Sequence, residues 1–256
     1  MLLVRFGPEG FHAAGESMAE MRILHSDPFA VPPSQWQLGR AVDLAREALR
    51  PPVEPGKVVG IGRSYREHAR ELDNPVPSEP VLFLKSPGAI VGALTPIVLP
   101  PESERVEHEG EIAVVLRGRL RRAGAADARR AVLGVTAAND VTARDLQRRD
   151  PTFCRAKSFD TFCPLGPALL ADPDLEDLAV ETRVNGETRQ RAHVGEMIWS
   201  IVELLVYASQ MMTLEPGDVI LTGTPAGVGP LVDGDLVEVE VPGVGVLRNP
   251  VEAWRR

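Results

Sequence analysis

Glu109 and Glu111 stand on either side of one glycine, Gly110, at the head of the apolar run Ile112-Ala113-Val114-Val115. In an extended chain, residues two apart project from the same face, so both carboxylates point the same way. Like charges on one face repel unless a cation holds them together. A hard divalent ion, which accepts carboxylate oxygens, meets that need. Asp140, after a second apolar segment, supplies a third acidic group, and Glu109, Glu111 and Asp140 together suit Mg²⁺ or Mn²⁺ with positions left for a chelating substrate. Zinc fits less well, because His108 points to the opposite face of a regular strand. The competing reading makes Glu109 and Glu111 the solvated face of an edge strand and Asp140 a helix cap. Pattern alone leaves both open.

His68 and Glu71 are three apart in a helical stretch and can share one face. A carboxylate beside an imidazole raises its basicity and fixes its tautomer, which suits a base or water activator. An ordinary surface ion pair has the same spacing. Arg144 and Gln147 lie one helical turn apart just after Asp140, and a guanidinium can grip a carboxylate at two points. Arg148 and Arg149 read as solvated. Lys157, one of only three lysines with Lys57 and Lys85, can stabilise developing negative charge. The turn Thr222-Gly223-Thr224-Pro225-Ala226-Gly227 can bring backbone N–H groups and the Thr224 hydroxyl to an anion. It has no P-loop lysine and no dinucleotide fingerprint.

The elements that must position these groups are mostly strands. Strands are expected at Leu2–Phe6, Met21–Leu24, Val58–Ile61, Val81–Leu84, Glu111–Leu116, Leu133–Ala138, Val219–Thr222, Leu236–Val241 and Val244–Leu247. Asn185-Gly186 between apolar-polar runs predicts a hairpin with a type I′ turn. Helices are expected at Ala41–Leu49, Tyr65–Leu72, Ala125–Ala131 and Met197–Met212, the last from the stripe Ile198, Ile201, Leu205, Ala208, Met212. Without regular βαβ alternation, the fold class is a β-rich α+β. The proline-rich segment after Arg50 separates a small N-terminal domain, 1–52, from a catalytic domain, 53–256.

Composition narrows the function. The chain has 256 residues and a net charge of −8, and no basic block offsets that charge, which argues against nucleic acid. No apolar run is long enough to span a bilayer, and the start does not read as a secretion signal, so a cytoplasmic protein is expected. Cys154 and Cys163, the only cysteines, are expected as two buried free thiols.

Taken in order, several segments resemble the fumarylacetoacetate hydrolase superfamily, in particular its short bacterial 2-hydroxyhepta-2,4-diene-1,7-dioate isomerases and the related 5-oxopent-3-ene-1,2,5-tricarboxylate decarboxylases. They are Gly60-Ile61-Gly62-Arg63-Ser64-Tyr65 through His68 and Glu71, Phe83-Leu84-Lys85-Ser86-Pro87, Glu109-Gly110-Glu111, Asn139-Asp140-Val141-Thr142-Ala143-Arg144-Asp145-Leu146-Gln147, Lys157-Ser158-Phe159-Asp160, Val184-Asn185-Gly186-Glu187, Met212 through Asp218, and Thr222-Gly223-Thr224-Pro225. The resemblance implies a mixed β-sandwich roll, a homodimer, and Mg²⁺ or Mn²⁺ on Glu109, Glu111 and Asp140. It implies a small-molecule 2-oxo acid substrate that reacts through an enolate, with His68, Glu71 and Lys157 catalytic. Arg63, Tyr65, Lys85, Arg144, Gln147 and Thr224 would contact substrate, Thr224 helping to hold the carboxylate. Ile61 departs from fumarylacetoacetate hydrolase proper, which has an acidic metal ligand seven residues before its histidine. The implied reaction is isomerisation of 2-hydroxyhepta-2,4-diene-1,7-dioate. Oxaloacetate decarboxylation and acylpyruvate hydrolysis are the enzymatic alternatives, and a noncatalytic metal-binding domain is the alternative from another class.

Overall fold

The computed structural model describes residues 1–73 and 75–255. At its centre Gly110–Leu116 pairs antiparallel with Val132–Asn139, and every residue of both strands is buried. Such strands are covered on both faces and read as continuous apolar runs. The pleat divides the first of them between two cores: Ala113 and Val115 face one, Ile112, Val114 and Leu116 the other.

The sheet around this pair has twelve strands. From one edge its order is Leu38–Ala41, Arg22–Leu24, Phe11–Gly15, Leu2–Phe6, Cys163–Ala171, Val132–Asn139, Gly110–Leu116, Val219–Leu221, Val58–Gly62 and Val81–Lys85, with two short strands off this path. The N-terminal strands thus continue the central sheet, joined where Leu2 and Leu3 pair with Leu170 and Leu169. They also have a small core of their own around Val4, Phe6, Ala13 and Met21. No helix forms over Ala41–Leu49. Asp43 caps a single 3-10 turn, Leu44–Arg46, by accepting from the Ala45 N–H, and Leu49–Arg50 then pairs with Arg5 and Phe6. The turn side chains are largely exposed, so no apolar stripe exists to bury a helix there.

A second sheet runs Glu187–His193, Ala179–Val184, Leu236–Val241, Gly245–Ala253, Ile97–Leu99. Its hairpin turns at Asn185 and Gly186, with φ of 54° and 78°, as a type I′ turn requires. Val180, Val239, Val241 and Leu247 pack it against Ile112 and Val114 of the first sheet. The helix Ile201–Met211 closes the same core through Leu204, Leu205 and Ala208. It begins four residues later than the expected Met197, because Ser200 and Glu203 form a reciprocal cap. The result is the expected β-rich α+β roll.

Cys163 is buried, but Cys154 is exposed, so only one of the two thiols is a core residue. Among the described residues no helix is long and apolar enough to cross a membrane.

Candidate active site

The antiparallel register assembles the acidic groups. Glu109 lies one residue ahead of its strand, Glu111 just inside it, and Asp140 one residue past the partner strand. The Asp140 N–H donates to Glu109 O at 2.8 Å, and the Glu109 N–H donates to Asn139 Oδ1 at 2.9 Å. One carboxylate oxygen from each of Glu109, Glu111 and Asp140 lies within 4.8 Å of the others, and all three residues are buried. The intervening residue has to be glycine: a Cβ on Gly110 would sit 1.8 Å from Thr182 Oγ1 of the second sheet.

The three carboxylates are not equally satisfied. Burial works to raise the Glu109 carboxyl, but Lys157 and Arg144 hold it far below its usual range. Glu111 moves the other way, well above that range, through burial and then through the charges of Asp140 and Glu109. Its Oε2 accepts the Gly223 N–H at 2.6 Å, and it has no ion-pair partner among the described residues. A buried carboxylate left with a backbone dipole and two like-charged neighbours is where a divalent cation fits. The all-oxygen donor set suits Mg²⁺ or Mn²⁺ better than zinc.

Three cations flank the triad. Lys157 Nζ donates to Glu109 Oε2 at 2.8 Å and to Asp140 Oδ2, and lies 4.8 Å from the centre of the Phe83 ring. Burial opposes its charge, yet Asp140 and Glu109 prevail and raise its pKa, so it stays an ammonium. Lys85 donates to Asp140 Oδ1 at 2.6 Å from behind. Arg144 donates to Glu107 Oε2 at 2.6 Å, to Glu109 Oε1, and to Gln147 Oε1 at 2.6 Å.

The triad forms the floor of a cavity of about 490 Å³. Lys157, Arg144, Gln147, Thr224, His68, Glu71 and Arg63 all reach its wall, whereas Lys85 and Tyr65 do not. Lys85 is instead a support for Asp140. Tyr65 is buried behind the wall, its hydroxyl without a partner among the described residues, and burial, then Glu111 and Glu196, push its phenol up. The His68–Glu71 pair is not a surface ion pair: His68 is 5 % exposed and its Nδ1 lies 3.3 Å from Glu71 Oε2. Glu71 Oε1 accepts the Gly227 N–H at 3.0 Å. Partial burial works to raise the Glu71 carboxyl, but these bonds bring it below its usual value.

Residues 57–252 match the family model for the fumarylacetoacetate (FAA) hydrolase C-terminal domain. The chain belongs to this family. The oxaloacetate tautomerase FAHD2A of Bos taurus is 45% identical over 215 residues, 79% of this chain and 68% of the bovine one. Two crystal structures superpose with TM-scores of 0.89: a 5-carboxymethyl-2-hydroxymuconate delta-isomerase from Mycobacterium smegmatis (41% identity, 99% of this chain and all of that one) and a 2-hydroxyhepta-2,4-diene-1,7-dioate isomerase from Mycobacterium marinum (40% identity, all of both chains). Family members are enzymes, with isomerase, tautomerase and hydrolase among their activities.

Three site residues escaped the sequence reading. Glu107 carries Arg144, Asn139 anchors Glu109, and Gln190 reaches in from the second sheet. Gln190 left a signal, since it alternates in phase with buried Ala192 on an otherwise exposed strand. A polar side chain on the buried phase needs partners.

Proposed function

We propose that the chain is a divalent-metal-dependent isomerase of 2-oxo diacids, acting on 2-hydroxyhepta-2,4-diene-1,7-dioate. The observation that carries this reading is the floor of the cavity, where three buried carboxylates converge and Glu111 lacks a cationic partner. Glu109, Glu111 and Asp140 would hold Mg²⁺ or Mn²⁺, which when bound supplies a Lewis acid for a carbonyl oxygen.

The chain's own groups account for the proton movement. Lys157 has three N–H donors, of which two are held by Glu109 and Asp140, leaving one for a substrate oxygen on which charge develops. Gln147 Oε1 accepts from Arg144, so its amide nitrogen is left to donate to a substrate carboxylate. His68 Nδ1 is held by Glu71, which frees Nε2 to accept the proton that the 2-hydroxyl loses and to deliver it to a distal carbon. Isomerisation breaks the 2-hydroxyl O–H bond, shifts the diene electrons and forms a C–H bond, with no oxidant or water consumed. Arg63 and Arg148, both on the cavity wall, would meet the second carboxylate of a diacid. The full-length match to the Mycobacterium marinum isomerase supports this choice. A homodimer is part of the proposal and is read by light scattering.

The bovine relative favours a second reading, tautomerisation of oxaloacetate in the same cavity. Turnover of both substrates with Mg²⁺ or Mn²⁺, and after EDTA, separates the two. The expected result is a kcat/KM about tenfold or more higher for the dienedioate, abolished by chelation. A preference of about tenfold for oxaloacetate would install the second reading. No turnover of either, or of an acylpyruvate, would leave a noncatalytic metal-binding domain.

A further inference from the structure

The hairpin of the second sheet touches the carboxylate strand at Gly110 from two sides. Thr182 packs against its Cα, and Gln190, paired with Thr182 across the hairpin, bonds its N–H. Gln190 is buried and uses its whole amide. Oε1 accepts from Gly110 N–H at 3.0 Å and lies 3.2 Å from His108 Nδ1, while Nε2 donates to Thr224 Oγ1 at 2.7 Å and to Pro225 O at 2.8 Å.

The orientation of that amide follows from its partners. Exchanging oxygen and nitrogen would set donor against the Gly110 N–H and acceptor against the Pro225 carbonyl. Nε2 therefore donates to Thr224. Thr224 Oγ1 also lies 2.9 Å from Gly110 O, which can only accept, so the hydroxyl proton goes there. The loop beyond is seated on the hairpin strand that carries Gln190: a Cβ on Gly227 would lie 2.0 Å from Arg189 O, and the Gly227 N–H holds Glu71.

We infer that Gln190 is a positioning residue that braces the 222–228 loop on the carboxylate strand, and that it commits the Thr224 hydroxyl proton within the protein. The Thr224 side chain then has no proton for a substrate carboxylate, which relies on the Gln147 amide nitrogen instead. The consequence for substrate rests on the 2-oxo acid reading above, whereas the bracing of the loop does not.

Gln190→Met keeps the length of the side chain and removes every bond. Gln190→Glu keeps the two accepting contacts and removes the amide donors. In Gln190→Met, amide hydrogen exchange across 222–228 should speed up about tenfold or more, with the Ile201–Met211 helix unchanged. Mn²⁺ affinity should stay within about threefold, and kcat should fall about tenfold with KM moving less than about threefold. Gln190→Glu should lie between wild type and Gln190→Met, and it carries the test if the Met variant does not fold. Exchange and kcat within about twofold of wild type in the variant that folds would reduce Gln190 to space-filling and overturn the inference. If the unmodified protein turns over no 2-oxo acid, the proposed function fails, while the exchange contrast still decides on Gln190.

Discussion

Two clusters of acidic side chains in this molecule differ in how they are neutralised. On the second sheet, Glu181, Glu238 and Glu240 surround Arg183, and Arg191 and Arg248 add further partners. Every carboxylate there has a guanidinium, and most of the group is in contact with water. In the cavity, Glu107, Glu109 and Asp140 have Arg144, Lys157 and Lys85, but among the described residues Glu111 has only a backbone N–H. Exposed, balanced charge gives little stability and no chemistry. Buried, unbalanced charge is costly, and a fold retains it where a missing cation completes it. The difference points to Glu111 as the residue that defines the site.

Replacing that residue should have the largest effect. Glu111→Gln is expected to lower kcat by about a thousandfold or more and to abolish Mn²⁺ binding by calorimetry. The same change should stabilise the metal-free protein by about 1–3 kcal/mol, because it removes an uncompensated buried charge. Lost activity with a gain in metal-free stability is the signature of a site kept for function. A metal-free protein destabilised by the change would mean that Glu111 is already compensated, and the contrast with the outer cluster would fail.

Adding metal should give the unaltered chain a gain of comparable size. At a free Mn²⁺ concentration about a hundredfold above Kd, linkage supplies about 2.7 kcal/mol. That corresponds to a rise in Tm on the order of 5–10 °C for a domain of this size. EDTA should reverse it, and Glu111→Gln should show no rise. Thermal scans at fixed protein concentration test both statements.

Much of this arrangement was legible in the residues, because it rests on short-range periodicity. The two-residue spacing of Glu109 and Glu111, and Asp140 at the end of an apolar strand, needed only the pleat and an antiparallel register. The Asn185-Gly186 hairpin needed only turn chemistry. What stayed hidden depends on distant partners. Cys163–Ala171, a spine of the large sheet, reads poorly as a strand because Pro164, Gly166 and Pro167 interrupt it. It is accommodated by a register shift against Val135 and Ala137 and by pairing with Leu2 and Leu3 from the far end of the chain. Lys85 resembled a substrate contact, yet only the tertiary fold shows it behind Asp140. Gln190 and Thr182 lie some 70 or more residues from Gly110, and no local pattern announces their meeting.

Titration should separate the two clusters by sign. Glu181 and Glu238 have lowered pKa values: burial opposes the shift at Glu181, where Arg191 and Arg183 prevail, and Arg248 leads at Glu238. Their contribution is therefore present above the unfolded carboxyl value of 4.5 and is lost as pH falls through the folded values. Glu111 is raised, so its contribution in the metal-free protein is present below 4.5 and is lost as pH climbs. Urea unfolding of metal-free protein between pH 4 and 8 should show the Glu111→Gln variant gaining on wild type as pH rises.

Arg183→Met should give the smallest effect, a loss on the order of 1 kcal/mol, with turnover and Mn²⁺ affinity unchanged. It leaves Glu181 to Arg191 and Glu238 to Arg248, so among the described residues only Glu240 is left with no ion-pair partner. The loss should shrink in high salt, since these charges are screened, and should fade at acid pH as the carboxylates protonate. A drop in turnover would mean that strain in the second sheet reaches the cavity, and the braced contact at Gly110 is where it would pass.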